Sequence, residues 1–284
     1  SVSPAIRWVQ VLKTRVITAC CLLAGLVLGL LALPYVGLVL FFSAIFLLAA
    51  GEWANISGLT QRWQQYAYAG CMACVMYLLF IFGVHHAGVL LNALLVLSLL
   101  GWLFVLIMIG RYPVKKISNH VSLLLLLGFW LLIPAWLGVL FLQPLVAHSG
   151  LLWLVIAVIA FADIGAYFSG RRFGRRKLAV HVSPNKTWEG FWGGTLANAV
   201  FALVLALVVQ CNLLQTLGLI AAMVLVSCAS VLGDLFESMM KRERGIKDSS
   251  NLLPGHGGVL DRLDGWTAAV PVFTALYLVW SALQ

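Results

Sequence analysis

Residues 213–235, LLQTLGLIAAMVLVSCASVLGDL, and residues 265–283, GWTAAVPVFTALYLVWSAL, are two apolar runs, and between them stands 238–264, SMMKRERGIKDSSNLLPGHGGVLDRLD. A spanning helix needs roughly 20 mainly apolar residues, which each flanking run supplies. The segment between them mixes lysines, arginines and carboxylates with a Pro-Gly-His-Gly-Gly turn. Polar side chains so dense beside a bilayer are costly unless something charged binds among them. The pattern predicts a membrane protein that handles an anionic substrate with help from a metal ion.

The rest of the chain agrees. Of 284 residues, 63% are hydrophobic and 10% charged, with a mean hydropathy of +1.03. Soluble domains carry about 25% charged residues, so composition indicates an all-α polytopic membrane protein. Nine spans are expected, near 16–33, 35–50, 67–84, 88–110, 121–143, 151–169, 192–210, 213–235 and 265–283. The first two are short and meet at Leu33-Pro34, as in a tight hairpin. Pro34, Pro134 and Pro271 are candidate kinks. The first run leads straight into the second without a small-residue cleavage site, so it reads as a retained span.

Nine spans place all 18 Lys and Arg on the side of the N-terminus. They cluster before the first span, at Arg62, at 111–116, at 171–186 and at 241–262, and the opposite loops have none. The positive-inside rule then makes the N-terminus and the charged loops cytoplasmic. A net charge of +9 concentrated there serves topology and attraction to anionic lipids, and no nucleic-acid partner is expected. The six cysteines lie in or beside apolar runs, and Cys71-Met-Ala-Cys74 lacks a second ligand pair. They read as packing thiols, not as zinc ligands or a disulfide framework.

No hydrophilic stretch is long enough for a separate soluble unit, so one membrane domain is expected. Its halves differ. Residues 1–150 hold few charges and read as scaffold, with a possible dimer surface or lipid groove. Residues 151–284 hold eight of the nine acids and both long charged loops, and read as the working part.

Asp163 lies inside the sixth run, where a carboxylate costs about 2.5–3.5 kcal/mol and so needs a polar cavity or a partner. Asp234 ends the eighth run, in one helical stripe with Ser238 and Lys241. Asp261 and Asp264 open the ninth run one helical turn apart. Carboxylates from two facing helices suit a hard cation such as Mg²⁺. Lys241, Arg242 and Lys247 add fixed positive charge, and the turn 254–258 offers backbone N–H groups to phosphate. His256 is a candidate phosphate donor, acid–base group or turn-stabilising side chain. In the loop HVSPNKTWEG, 181–190, Ser183, Lys186 and Thr187 can bracket a phosphate, or else begin the next helix.

These segments together resemble the phosphatidate cytidylyltransferases, or CDP-diacylglycerol synthases. The resemblance rests on Ser238, Lys241-Arg242, Lys247-Asp248, Pro254, His256-Gly257-Gly258, Asp261-Arg262 and Asp264 at the family's spacing. GDLFES at 233–238, SPNKTWEG at 183–190 and DIGAYFSGRRFG at 163–174 support it. Asn185 is a small departure. The resemblance is detailed across 160–265 and general elsewhere. It implies conversion of CTP and phosphatidate to CDP-diacylglycerol and pyrophosphate by a multi-pass, dimeric enzyme of the bacterial inner membrane, using Mg²⁺, with a second cation such as K⁺ as a candidate. Asp234 and Asp261 match the family's metal-binding carboxylates, and Ser183, Lys186 and Thr187 a segment that contacts nucleotide phosphates. On that reading Lys247 and His256 join the catalytic group, while Lys241, Arg242, Arg262, Asp163 and Asp264 surround the substrates.

Asp261-Arg-Leu-Asp264-Gly265 also imitates the start of the CDP-alcohol phosphotransferase motif, but Trp266 follows and no later acid completes it. A CTP-dependent polyprenol kinase is the enzymatic alternative. An ion or anion transporter is the alternative of another class, disfavoured because the charge is one-sided.

Overall fold

Among the described residues, 4–113, 120–145 and 149–283 of a computed structural model, nine helices and one small hairpin make up the regular structure; side chains are described from residue 13. In order these are α1 (Pro4–Ala32), α2 (Tyr35–Ile56), α3 (Arg62–Ile81), α4 (Val89–Arg111), α5 (Val121–Leu142), α6 (Gly150–Phe173), β1 (Lys177–Ala179), β2 (Ser183–Thr187), α7 (Trp188–Val208), α8 (Leu213–Arg244) and α9 (Leu260–Ala282). All nine helices contain windows long and apolar enough to cross a membrane. Lys115, Lys116 and the side chain of Arg7 lie outside the described residues.

The all-α architecture is observed, with one small hairpin added to it. Strands β1 and β2 pair antiparallel, with Lys177 opposite Thr187 and Ala179 opposite Ser183. The hairpin is fastened to the start of α7. The Glu189 carboxylate accepts the N–H groups of Arg175 (3.0 Å) and Arg176 (3.2 Å), and the Trp188 N–H donates to the Arg176 carbonyl at 2.9 Å. Thr187 caps the helix, its hydroxyl accepting from the Gly190 N–H at 3.1 Å.

Helix α8 continues from the end of its apolar run at residue 235 to Arg244, about two and a half further turns. A capping box between Asn212 and Gln215 opens it, a basic last turn complements its dipole, and Gly245 at φ +77° closes it. Helix α9 begins at Leu260, not 265. Ser238, Lys241, Arg242, Asp261, Arg262 and Asp264 thus stand on helices. Pro34 is the N-cap of α2, so it turns the chain between two helices and kinks neither, whereas α5 and α9 run through Pro134 and Pro271.

The centre of the bundle is α5, whose residues 131–142 are all buried. Gly138 lets α9 approach; a Cβ there would lie 2.7 Å from Thr274 and from Val270. Small residues also bring α6 onto α7. A Cβ on Gly165 would lie 2.8 Å from the Gly193 carbonyl oxygen, the close-approach device of membrane helices. Between α8 and α9, Gly233 faces the Asp264 carbonyl and Gly265 faces Ser230. The N-terminal helices grip α8 at Phe236, which stacks on Trp53 at 6.0 Å and meets Trp102 and Trp130 edge-on at 5.7 and 6.2 Å.

Candidate active site

Asp261 sits in the first turn of α9, 8% exposed. One oxygen accepts from the Lys241 ammonium at 2.6 Å; the other accepts the Gly258 N–H at 2.7 Å and the Ser249 N–H at 3.0 Å. Lys241 also forms an ion pair with Glu237 at 3.0 Å. A buried cation between two buried acids is a tolerable way to hold charge away from water.

The loop that supplies Ser249 and Gly258 is held in turn by Glu52 of α2. Its carboxyl group accepts from the Ser249 and Ser250 hydroxyls at 2.9 and 2.6 Å, and from the Val259 and Leu260 N–H groups at 3.0 and 2.7 Å. It thereby satisfies orphan N–H groups at the start of α9. No side chain fits at Gly258, which lies against Glu52 and Ser249. Nearby, Asn55 donates to the Ser249 carbonyl, Arg244 to the Asn55 carbonyl and Arg242 to the Val182 carbonyl. The exits of α2 and α8, the hairpin and the start of α9 therefore meet at one end of the bundle.

Lys186 of β2 forms an ion pair with Asp234 of α8, and the Ser238 hydroxyl donates to the other Asp234 oxygen at 3.2 Å. Asp234 is also an electrostatic neighbour of Asp163 and Asp264. A chamber of about 380 Å³ is lined by Asp163, Asp234, Asp261 and Asp264 together with Lys241 and Arg262. Two further cavities adjoin it. One, of about 420 Å³, shares Asp163 and Val231 with the chamber and is mostly apolar; Tyr167, Arg171, Leu178, Lys186 and Phe191 line it. The other, of about 460 Å³, shares Asp248 and Arg262 and is lined by Arg15, Lys247 and His256.

This chamber fits a hard cation in donor type, with one qualification. Asp261 already accepts an ammonium and two N–H groups, which leaves about one of a carboxylate's four acceptor positions for a metal. Among the described residues the Asp264 carboxyl group accepts only the Gly265 N–H, and the Asp163 carboxyl group accepts no hydrogen bond. Among the described residues no three Asp, Glu, His or Cys side chains are grouped so as to hold a metal ion. A cation here would rest on one or two of the chamber carboxylates and complete its shell with water and phosphate oxygens.

Most of the residues singled out in the sequence come together here. Asp163, Asp234, Asp261, Asp264, Lys241 and Arg262 share the chamber, Lys186 and Thr187 line the apolar groove, and Lys247 and His256 the basic pocket. Ser183 and Arg242 line none of these cavities; Ser183 begins β2, and Arg242 ties α8 to the hairpin turn. Lys241 lines the chamber while paired with Glu237 and Asp261. His256 has a buried Nδ1 without a partner, and the turn is closed by backbone bonds, the His256 N–H donating to the Leu253 carbonyl at 2.9 Å. Glu52, Glu237, Asp248 and Arg15 were missed as site residues. The signal for Glu52 was its isolation, since it is the one acid of residues 1–150.

The family model described as "Cytidylyltransferase family" matches residues 13–280. The chain is 43% identical over 273 residues to the phosphatidate cytidylyltransferase of Pseudomonas aeruginosa, covering 95% of this chain and 98% of that protein. It is 39% identical over 284 residues to that of Haemophilus influenzae, covering 94% and 98%. A 124-residue stretch is 48% identical to the phosphatidate cytidylyltransferase of Brucella suis, covering 44% of each chain.

Proposed function

The chain belongs to the cytidylyltransferase family, and from that membership we propose a phosphatidate cytidylyltransferase, which joins CTP and phosphatidate into CDP-diacylglycerol and releases pyrophosphate. The single observation that carries the site assignment is the acid-lined chamber, flanked on one side by an apolar groove and on the other by a basic pocket. A phosphate oxygen of phosphatidate attacks the α-phosphorus of CTP. The new P–O bond forms as the bond to the bridging oxygen breaks, and pyrophosphate leaves with that electron pair. The nucleophile is already ionised, so no strong general base is required, in keeping with a chamber built of carboxylates and cations.

The apolar groove suits acyl chains, with Arg171 and Lys186 placed near a headgroup phosphate. Mg²⁺ held by Asp234 and Asp261, with water and phosphate oxygens completing its shell, would supply charge neutralisation for the phosphates and for the leaving pyrophosphate. Asp261 and Lys241 brace the loop that frames the chamber. The distribution of Lys and Arg supports a cytoplasmic site in a bacterial inner membrane. We take the working unit to be a homodimer, as the resemblance implies, which cross-linking in native membranes would test.

The deciding experiment incubates purified protein with phosphatidate, CTP and Mg²⁺. CDP-diacylglycerol and pyrophosphate in equal amounts are expected, and only with the divalent cation. Release of CDP with a phosphorylated lipid would instead identify a CTP-dependent lipid kinase. Absence of CTP turnover by folded protein would sink the proposal.

A further inference from the structure

We propose that Arg15 of α1, with Lys247 and Arg262, completes a leaving-group pocket that holds the β- and γ-phosphates of the nucleotide and then pyrophosphate. The proposal rests on the transferase reading above.

The three cavities lie in series. The acid chamber shares residues with each of its neighbours, Asp163 and Val231 on one side and Asp248 and Arg262 on the other, while the two neighbours share none. In-line displacement at phosphorus needs the nucleophile and the leaving group on opposite sides. An apolar groove that admits the lipid therefore leaves the basic pocket for pyrophosphate. Its volume of about 460 Å³ is ample for two phosphates. Lys247 and Arg262 provide two cations, and Asp248 is the one carboxylate among its lining residues.

Arg15 supplies a third cation from the far end of the sequence. Its stem lies over Gly255, where φ is +76° and an added Cβ would meet Arg15 Cγ at 2.9 Å. One turn along, the Thr18 hydroxyl donates to the Pro254 carbonyl at 3.0 Å. Most of the described part of α1 is exposed, so this seat on the 254–257 turn is specific. Arg15 belongs to no ion pair among the described residues. A guanidinium so placed is suited to bidentate phosphate contact.

The test measures steady-state constants for CTP and phosphatidate and inhibition by added pyrophosphate. For Arg15→Gln, the KM for CTP and the pyrophosphate inhibition constant should each rise about tenfold, as for loss of one charge-assisted contact. The KM for phosphatidate should stay within about twofold. Lys13→Gln removes the same charge from α1 outside the cavity and should leave all three constants unchanged. Unaltered pyrophosphate inhibition in Arg15→Gln overturns the pocket, as does an equal effect of Lys13→Gln. Should Arg15→Gln not fold, Arg15→Lys decides, because it keeps the charge and loses the bidentate fork: weaker pyrophosphate inhibition with an unchanged KM for phosphatidate supports the pocket, and wild-type constants overturn it. Failure of the wild type to convert CTP and phosphatidate would remove the underlying transferase reading, a result distinct from either.

Discussion

Lys241 stands between Glu237 and Asp261, and the side chain that binds Asp261 also fixes α8 against the first turn of α9. Asp261→Asn keeps the shape and leaves Lys241 its Glu237 partner. The variant should fold and yet lose at least about a hundredfold in pyrophosphate release, equivalent to roughly 2.7 kcal/mol. Near-normal turnover would take Asp261 out of the site. Glu52 acts one layer further out. Glu52→Ala strands four donors, of which a buried one costs about 1–3 kcal/mol to leave unmade. Its thermal midpoint should fall; that of Glu52→Gln, whose NH₂ replaces one acceptor oxygen opposite a backbone N–H, should fall by less, and the variant should lose turnover, with CTP protection against proteolysis of the 249–258 loop as a second readout. Asp163, Asp234 and Asp264 were legible from residue type and helical spacing, and Lys186 as a cation flanked by hydroxyls. Glu52 was not, because its partners are some 200 residues away in sequence and spacing carries no trace of them.

At the scale of elements, the nine spans were readable because each apolar run must cross the same thickness of hydrocarbon. Their ends were harder. The last turns of α8 are polar, so hydropathy stops where the helix does not; what extends it is good helix-forming sequence and a left-handed glycine. The hairpin was hidden because five residues, SPNKT, show no alternation of apolar and polar side chains, and its register is imposed by Glu189. The clasp of Trp53, Trp102 and Trp130 on Phe236 joins the two halves of the chain next to Asp234. Phe236→Ala opens a cavity in that clasp and should cost about 3–5 kcal/mol, seen as an earlier unfolding transition in detergent. If stability is unchanged, the clasp does not hold α8.

For the whole molecule, the ends of α2, α8 and α9 and the hairpin converge on one face, which matches the one-sided placement of Lys and Arg. Single cysteines at Lys247 and at His86, in a background without the six native cysteines, should label from opposite sides of sealed inverted vesicles. Labelling of both from one side would contradict the nine-span topology. Helix α8 has a consequence of its own. Its 32 residues span about 48 Å against a hydrocarbon core of about 30 Å, so the helix works as a depth gauge, carrying Asp234 at a set elevation above the lipid tails. Bilayers thicker or thinner than that gauge would force it to lean or the leaflet to dimple. Turnover should accordingly peak at one chain length when vesicles of graded thickness are compared at equal phosphatidate.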